Sequence, residues 1–209
     1  MPALVGIITC PKNYERARAI QETWLPKSPV DTEFFDGQRL SCFDDYEHLS
    51  QKTVALCVRA LEKNYDRLLK LDDDSYLNYR AFKVVEADYA GIRNPGGYAS
   101  GGAYWLSQRA MEIVARCGID DIAEDRGVGN LLARHNIHLV ELPDYIWQGF
   151  GLAVGEAAAS ACPCSECKKK NGKPVWEYFP NAAVITQLGP DQMRACHKFY
   201  EDSSSGLHV

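Results

Sequence analysis

The stretch Leu69-Lys70-Leu71-Asp72-Asp73-Asp74-Ser75-Tyr76 decides the fold class of this chain, because a short apolar segment leads directly into three carboxylates, the triplet. The apolar segment predicts a buried strand, and open α/β sheets bind ligands at the carboxyl ends of their strands. Carboxylate oxygens held together on a turn suit Mg²⁺ or Mn²⁺, which leave other coordination positions to water and substrate phosphates. An acidic triplet is also typical of a solvated turn or a helix N-terminal cap. The surrounding segments decide between these interpretations.

Length, charge and hydropathy narrow the class of protein. The 209 residues fit one domain, or one domain with a small appendage. A formal charge of −5 argues against a surface that binds nucleic acid throughout, although Lys168, Lys169 and Lys170 form a local basic run. The sequence has no run approaching the roughly 18 apolar residues of a transmembrane helix, and its first residues do not resemble a signal peptide. We therefore expect a cytoplasmic protein without a membrane segment.

The first third of the chain alternates strand and helix patterns. Residues 3–9 are a short apolar run that predicts a strand, residues 32–35 and 67–71 are further candidate strands, and residues 14–24 predict a helix. A second helix is predicted over residues 50–64, where Val54, Val58 and Leu61 share one face. This alternation predicts right-handed crossovers and a mostly parallel central sheet flanked by helices, with the triplet at its carboxyl edge.

The second half keeps the alternation and adds glycine. Residues 98–107 read as an extended segment broken by Gly101 and Gly102, where the backbone turns sharply or approaches a ligand closely. Ser107 is a candidate N-cap for the helix that follows. Glu124 and Asp125, the acidic pair, precede another helix, and residues 138–142 predict a last strand of this core.

Five segments resemble, in order, the signature blocks of the β1,3-galactosyltransferase and Fringe family. They are residues 18–24 (RAIQETW), 44–53 (DDYEHLSQKT), 70–74 (KLDDD), 101–107 (GGAYWLS) and 124–129 (EDRGVG). Each block is weak alone, but five in the right order are specific, and they span the region from about residue 3 to 142. The resemblance implies a GT-A fold, a UDP-sugar donor (galactose, glucose or an N-acetylated relative), a Mn²⁺ or Mg²⁺ cofactor and inversion at the anomeric carbon.

The resemblance also implies roles for the donor-side residues. The triplet matches the DxD element of the family, with Asp74 as the direct metal ligand and Asp72 or Asp73 reaching the ribose or a metal-bound water. Asp72 is therefore a second candidate ligand. Further residues carried over to the nucleotide-sugar site are Arg18, Lys52, Gly101 and Gly102. Gln21 stands where the family usually has a second arginine, which leaves contacts to uracil and phosphate open there.

The acidic pair supplies the candidate base. Asp125 matches the family's catalytic base, although Arg126 replaces the usual apolar residue. A single displacement needs one carboxylate to accept the proton of the acceptor hydroxyl, worth roughly 10²–10⁴-fold in rate. It also needs a metal ion to stabilise the departing diphosphate. Acidic residues in the first turn of a helix are otherwise typical of favourable interaction with the helix dipole.

The carboxy-terminal part departs from the family. We expect a catalytic core over residues 1–150 and a small cysteine-containing subdomain over residues 151–209. Three thiolates in the CxCxxC run, with one further ligand, form a candidate structural zinc site, and unpaired thiols on a loop are the alternative. The candidate zinc ligands are Cys162, Cys164, Cys167 and either Cys196 or His197. His197 and His208 are also candidate manganese ligands, and a surface helix over residues 191–200 is the alternative for His197.

These expectations lead to one principal function and two alternatives. The principal one is a metal-dependent inverting glycosyltransferase, of bacterial or viral type, acting on a hydroxyl of a glycan, a lipid-linked sugar, a small molecule or a hydroxylated DNA base. The first alternative is a non-catalytic module that binds nucleotide-sugars or glycans. The second is a nucleic-acid-binding module organised by zinc. Retention of both Asp74 and Asp125 favours the enzyme.

Overall fold

Three parallel strands form one half of the central sheet. The computed structural model describes residues 1–148 and 181–202. In it, β1 (Ala3–Ile8) lies between β2 (Asp31–Phe35) and β3 (Arg67–Asp72) and pairs in parallel with both. β1 is buried along its whole length, and the four residues before Asp72 in β3 are buried too. Such continuous apolar runs are typical of parallel strands covered on both faces. The predicted strand, helix, strand order of this half is confirmed.

The other half of the sheet is built around an antiparallel strand. β6 (Ala99–Ser107) pairs antiparallel with β3 on one side and with β5 (Tyr89–Arg93) on the other. The short β7 (Val140–Glu141) closes the edge in parallel with β5. The strand order is β2-β1-β3-β6-β5-β7, and the sheet is mostly parallel, as predicted. β5 was not predicted, because its five residues include a glycine and end on an exposed arginine.

Helices cover both faces of the sheet. They are α1 (Tyr14–Glu22), α2 (Gly37–Leu40), α3 (Leu49–Glu62), α4 (Gln108–Cys117), α5 (Glu124–Arg134) and α6 (Pro190–Asp202). One apolar layer joins β3 to α3, α4 and α5, and the opposite layer joins it to α1 and α6. The predicted cap of α4 is confirmed, since the Ser107 hydroxyl accepts a hydrogen bond from the Ala110 amide at 3.2 Å. Among the described helices, none has the length and apolarity needed to cross a membrane.

A second, three-stranded sheet lies beside the triplet. Directly after the turn, β4 (Tyr76–Leu77) pairs antiparallel with β9 (Val184–Thr186), which pairs in parallel with β8 (Ile146–Gln148). The buried side chains of β9 and α6 belong to the same apolar cluster as those of β1. This packing brings residues 184–188 next to the carboxyl end of β3. The predicted boundary near residue 150 falls in the part of the chain that is not described and stays a prediction.

Candidate active site

The triplet follows the last residues of β3 on a tight turn. The Ser75 amide donates to the Asp72 carbonyl at 3.2 Å, which turns the chain immediately after the strand. Because the strand side chains alternate, the three carboxylates leave the turn in different directions and meet different neighbours. Each therefore has its own chemistry.

Asp73 is almost completely engaged by protein groups. It is 3% exposed and accepts hydrogen bonds from Thr9 Oγ1 at 2.7 Å, Asn13 Nδ2 at 2.9 Å and Arg16 Nη1 at 3.2 Å. These donors lie at the end of β1 and the start of α1. Asp73 therefore links the loop between β1 and α1 to the triplet, and both of its carboxylate oxygens are used in these contacts.

Asp74 is held mainly by the segment that follows β9. Its carbonyl accepts from the Leu188 amide at 2.8 Å, and its Oδ1 from the Gln187 amide at 3.3 Å. Its other oxygen lies 3.6 Å from Arg16 Nη1. Burial and the negative charge of Asp72 raise the pKa of Asp74 to about 6, against the opposing effect of Arg16. A bound cation would favour the ionised form of both Asp72 and Asp74, whose negative charges repel each other.

Asp72 is oriented by a lysine inside the sheet. Lys70 Nζ donates to Asp72 Oδ1 at 2.5 Å and to the Gly101 carbonyl at 2.5 Å, and the lysine is fully buried. Burial acts against its charge, but the carboxylates of Asp72 and Glu124 outweigh it and raise the pKa of Lys70. Within the described part of the chain, Asp72 Oδ2 has no hydrogen-bond partner. Asp72 thus presents one free oxygen.

Asp125 reaches the same edge of the sheet from the first turn of α5. Its Oδ2 accepts from the Gly101 amide at 3.2 Å and its Oδ1 from the Arg126 amide at 2.8 Å. A side chain at Gly101 would lie 3.5 Å from the Asp125 Cβ and 3.6 Å from a Glu124 carboxylate oxygen. The glycine segment therefore lies against the acidic pair. Gly101 connects Asp125 to the lysine that holds Asp72.

Glu124 is the buried member of the acidic pair. It is 3% exposed, accepts from Thr53 Oγ1 at 2.8 Å and from the Tyr104 hydroxyl, and lies 3.8 Å from Lys70 Nζ. Burial raises the pKa of Glu124, while Lys70 and the hydroxyl donors act in the opposite direction. Glu124 therefore anchors the start of α5, whereas its neighbour Asp125 is only half-buried.

Two further predicted site residues lie close to this edge. Lys52 is buried, donates to the Thr9 carbonyl at 2.7 Å and forms an ion pair with Asp44. It thus supports the end of β1, where Thr9 also contacts Asp73. Gly102 is closely covered by β9, since a side chain there would lie 2.9 Å from Thr186 Oγ1. Only a glycine lets the backbone of β6 approach the Thr186 side chain so closely.

The two arginines that the sequence singled out point elsewhere. Arg18 is about half-exposed on α1 and donates to Glu22 at 2.6 Å, one turn along the same helix. Arg126 makes two hydrogen bonds of 2.8 Å to Asp121. The arginine that the structure brings to the triplet is Arg16. The role of Arg18 at the nucleotide stays a prediction that these contacts do not support.

Four residues near the triplet were missed as site residues by sequence reasoning: Thr9, Asn13, Arg16 and Lys70. A signal existed for the first three, because they surround the first β-to-α loop, which lies at the carboxyl edge of a parallel sheet. A charged residue between two leucines of a buried strand was the signal for Lys70.

The candidate zinc and histidine ligands are only partly described. Cys162, Cys164, Cys167 and His208 lie outside the described residues. Cys196 is buried in the apolar cluster under α6, and burial raises its pKa well above the ordinary value. His197 Nδ1 lies 3.0 Å from the Tyr76 hydroxyl. Within residues 1–148 and 181–202, no three acidic, histidine or cysteine side chains form a metal-binding group, and the zinc site stays a prediction.

The triplet offers two carboxylates rather than a complete protein cage. Among the described residues, one oxygen of Asp72 has no hydrogen-bond partner. Burial and the charge of Asp72 raise the pKa of Asp74, and Asp73 is engaged by protein donors. Mg²⁺ and Mn²⁺ fit such a set, because they are commonly held by one or two carboxylates together with substrate phosphates. The residues present are therefore compatible with the cation that the sequence resemblance implies.

Comparisons with known proteins support the fold. No family model matches this chain, and no curated protein matches it. One similar solved structure is a glycosyltransferase involved in the glycosylation of the major capsid of PBCV-1, with 11% identity, a TM-score of 0.59 and coverage of 94% of this chain and 99% of that chain. Another is the apo structure of the bifunctional glycosyltransferase WbbM, with 9% identity, a TM-score of 0.55 and coverage of 98% of this chain and 51% of that chain.

These matches are too distant in sequence to establish an activity, and they do not place the chain in the β1,3-galactosyltransferase and Fringe family. They agree with the mostly parallel sheet and the helices on both of its faces. The chain has the GT-A fold of these two glycosyltransferase structures.

Proposed function

We propose that this chain is a metal-dependent, inverting glycosyltransferase that moves a hexose from a UDP-sugar to an acceptor hydroxyl. The observation that carries the proposal is the pair of hydrogen bonds made by the backbone of Gly101. Its carbonyl accepts from Lys70, which also holds Asp72, and its amide donates to Asp125. A candidate diphosphate site and a candidate base therefore face one edge of the sheet in a GT-A fold.

The donor side of the site has the charges that a nucleotide diphosphate needs. Asp72 and Asp74 would hold a divalent cation, which when bound compensates the charge of the departing diphosphate. Arg16, which lies 3.6 Å from Asp74, adds a positive charge beside them. The buried contacts of Asp73 keep the end of β1 and the start of α1 in place around this centre.

The acceptor side needs a carboxylate that can take a proton. Asp125 is oriented by two backbone amides, and it is half-buried rather than enclosed. An acceptor hydroxyl that attacks the anomeric carbon would transfer its proton to this side chain. A single attack from the face opposite the diphosphate inverts the configuration at that carbon.

The direct test is a panel of UDP-sugars, with UDP release as the readout. The wild-type protein would be incubated with Mn²⁺ and UDP-galactose, UDP-glucose or their N-acetylated relatives, with and without glycans, small alcohols and hydroxylated nucleobases. We expect one donor to release UDP faster when its acceptor is present, and chelation to stop the release.

A matched control keeps this test specific. Asp120→Asn removes an exposed carboxylate four residues before the acidic pair and should leave UDP release unchanged. If UDP binds in the presence of Mn²⁺ but no donor in the panel releases it, the chain is a non-catalytic nucleotide-sugar-binding module. That result would overturn the proposed activity while leaving the binding site intact.

The candidate structural zinc ion is a separate proposal. It rests on the CxCxxC run alone, because the first three cysteines lie outside the described residues. Elemental analysis of protein prepared without chelators should find about one zinc per chain. Protein without zinc would show that the cysteines are unpaired thiols.

A further inference from the structure

The sheet contains a charged side chain whose position needs an explanation. Lys70 lies between Leu69 and Leu71 in β3 and has no solvent exposure. Lysine is almost never fully buried unless it is paired, because taking an ammonium out of water costs more than one ion pair usually returns. An apolar residue would suit the interior of this strand better. The lysine therefore points to a role other than stability.

The contacts of Lys70 lead to both halves of the proposed site. Its ammonium donates to Asp72 Oδ1 and to the Gly101 carbonyl, both at 2.5 Å, and lies 3.8 Å from Glu124 Oε2. The amide of the same Gly101 donates to Asp125 Oδ2 at 3.2 Å. One buried ammonium thus forms a hydrogen bond with Asp72 and is linked to Asp125 through the backbone of one residue, Gly101.

The surroundings of Lys70 restrict its movement. Its Nζ lies 5.6 Å from the centre of the Tyr104 ring, whose hydroxyl donates to Glu124. Glu124 is held in turn by Thr53 of α3. Tyr104, Glu124 and Thr53 are buried and lie in three different elements. They therefore fix the position of the ammonium, which can in turn orient neighbouring groups that are held less firmly.

We propose that Lys70 is a positioning residue that sets the geometry of Asp72 and Asp125 together. By engaging Oδ1 of Asp72, it leaves the other oxygen to face the cation and diphosphate. By engaging the Gly101 carbonyl, it holds in place the glycine residue whose amide orients the candidate base. The inference rests on the proposed function and deepens it, because it names a residue that neither substrate would touch.

The test compares Lys70→Met in two backgrounds. In wild type, we expect the substitution to weaken Mn²⁺-dependent UDP binding by about 10- to 100-fold, the range seen when partners of metal ligands are removed. In Asp72→Asn, it should weaken the remaining binding much less, because the carboxylate that Lys70 positions is already lost. An equal factor in both backgrounds would show that Lys70 acts only through general structure, and would overturn the proposal.

The Asp125 half has its own readout. At saturating donor and Mn²⁺, Lys70→Met should also lower kcat by about tenfold or more, because the orientation of the base depends on the backbone position of Gly101. An unchanged kcat with a raised KM would overturn this half of the inference. Lys63→Met is the matched control, since Lys63 is partly exposed, pairs with Glu33 and is expected to leave both parameters unchanged.

Removal of one buried charge can prevent folding by leaving Glu124 without a counterion. The double variant Lys70→Met/Glu124→Gln removes both charges and keeps hydrogen-bonding groups for Thr53 and Tyr104. We expect it to fold, as measured by thermal unfolding, and to show the same losses of UDP affinity and kcat. A folded double variant with wild-type values would overturn the proposal. Absence of Mn²⁺-dependent UDP binding by wild type would instead overturn the proposed function, whatever the Lys70 variants do.

Discussion

The triplet after β3 and the acidic pair at the start of α5 are arranged alike, but they differ in the charge of the groups that hold their carboxylates. In each, one carboxylate is buried and engaged by protein donors, Asp73 in the triplet and Glu124 in the pair. In the triplet, the other carboxylates are held partly by cationic side chains, whereas among the described residues Asp125 accepts hydrogen bonds only from backbone amides. The triplet is thus suited to a cation and a diphosphate, and Asp125 to accepting a proton.

This difference shows that neighbouring acidic residues are distinguished by their partners rather than by their type. Asp73 and Asp74 are adjacent in sequence, yet the first is 3% exposed and accepts three hydrogen bonds from side chains. The second is bonded mainly to backbone amides and has a pKa raised to about 6. Substitutions at Asp74 and at Asp73 should therefore separate the binding of cation and nucleotide from the structural support of the fold.

The largest expected effect separates Asp74 from Asp73. Asp74→Asn should abolish Mn²⁺-dependent UDP binding, a loss of about 100-fold or more, because an amide is a poor ligand for a hard cation. Asp73→Asn should mainly lower stability, by about 1–3 kcal/mol, because its amide nitrogen cannot accept from Thr9 or Asn13. Calorimetric titration and thermal unfolding of both variants provide the measurement. Wild-type UDP affinity in Asp74→Asn would break the assignment of the triplet.

Removing a cationic side chain beside the triplet should have a smaller effect, and Arg16 and Arg18 provide a matched pair of variants. Arg16→Ala should weaken UDP binding in Mn²⁺ by about tenfold, because it removes a charge-assisted contact beside Asp74. Arg18→Ala should change it by less than about twofold, since Arg18 pairs with Glu22 on the exposed side of α1. The same calorimetric titration compares them. A larger loss in Arg18→Ala would show that the nucleotide approaches the other side of that helix.

A further effect concerns the stability of the metal-free protein. The folded-state pKa of Asp74 is raised to about 6. Protonation of Asp74 therefore contributes fully to the free energy of unfolding below about pH 4, and this contribution is lost as the pH rises through 6. Asp74→Asn lacks this loss and should be more stable than wild type at pH 7.5, by up to about 3 kcal/mol, but not at pH 4. Chemical unfolding of metal-free protein at both pH values checks the prediction. A variant that gains no stability at the higher pH would contradict the mutual repulsion of Asp72 and Asp74.

Local patterns in the sequence were sufficient to predict the half of the central sheet that contains β1, β2 and β3. β1, β2 and β3 form where expected, β1 and the interior of β3 are buried, and the turn after β3 carries the triplet to the sheet edge. α1 ends at Glu22 rather than at residue 24, and β7 covers only residues 140–141 of the five that were predicted. Helix and strand ends depend on a few hydrogen bonds, which a periodic pattern does not specify.

Long-range contacts could not be predicted in the same way. The periodicity of residues 99–107 indicates a strand, but strand direction depends on pairing partners, and β6 is antiparallel to both of its neighbours. Arg16 reaches Asp73 across 57 residues of sequence, while Arg18, two positions along α1, points to solvent. A rotation of about 200° between residues two apart on a helix decides which arginine faces the site.

The division of work between the triplet and the acidic pair is tested most directly by Asp125→Asn, with UDP affinity and sugar transfer measured on the same preparation. The account predicts Mn²⁺-dependent UDP affinity within about twofold of wild type and transfer lowered by about 10²-fold or more, because the base acts only in the transition state. Transfer at the wild-type rate would show that the base lies elsewhere. Loss of UDP affinity together with transfer would show that Asp125 belongs to the nucleotide site, and would contradict the division.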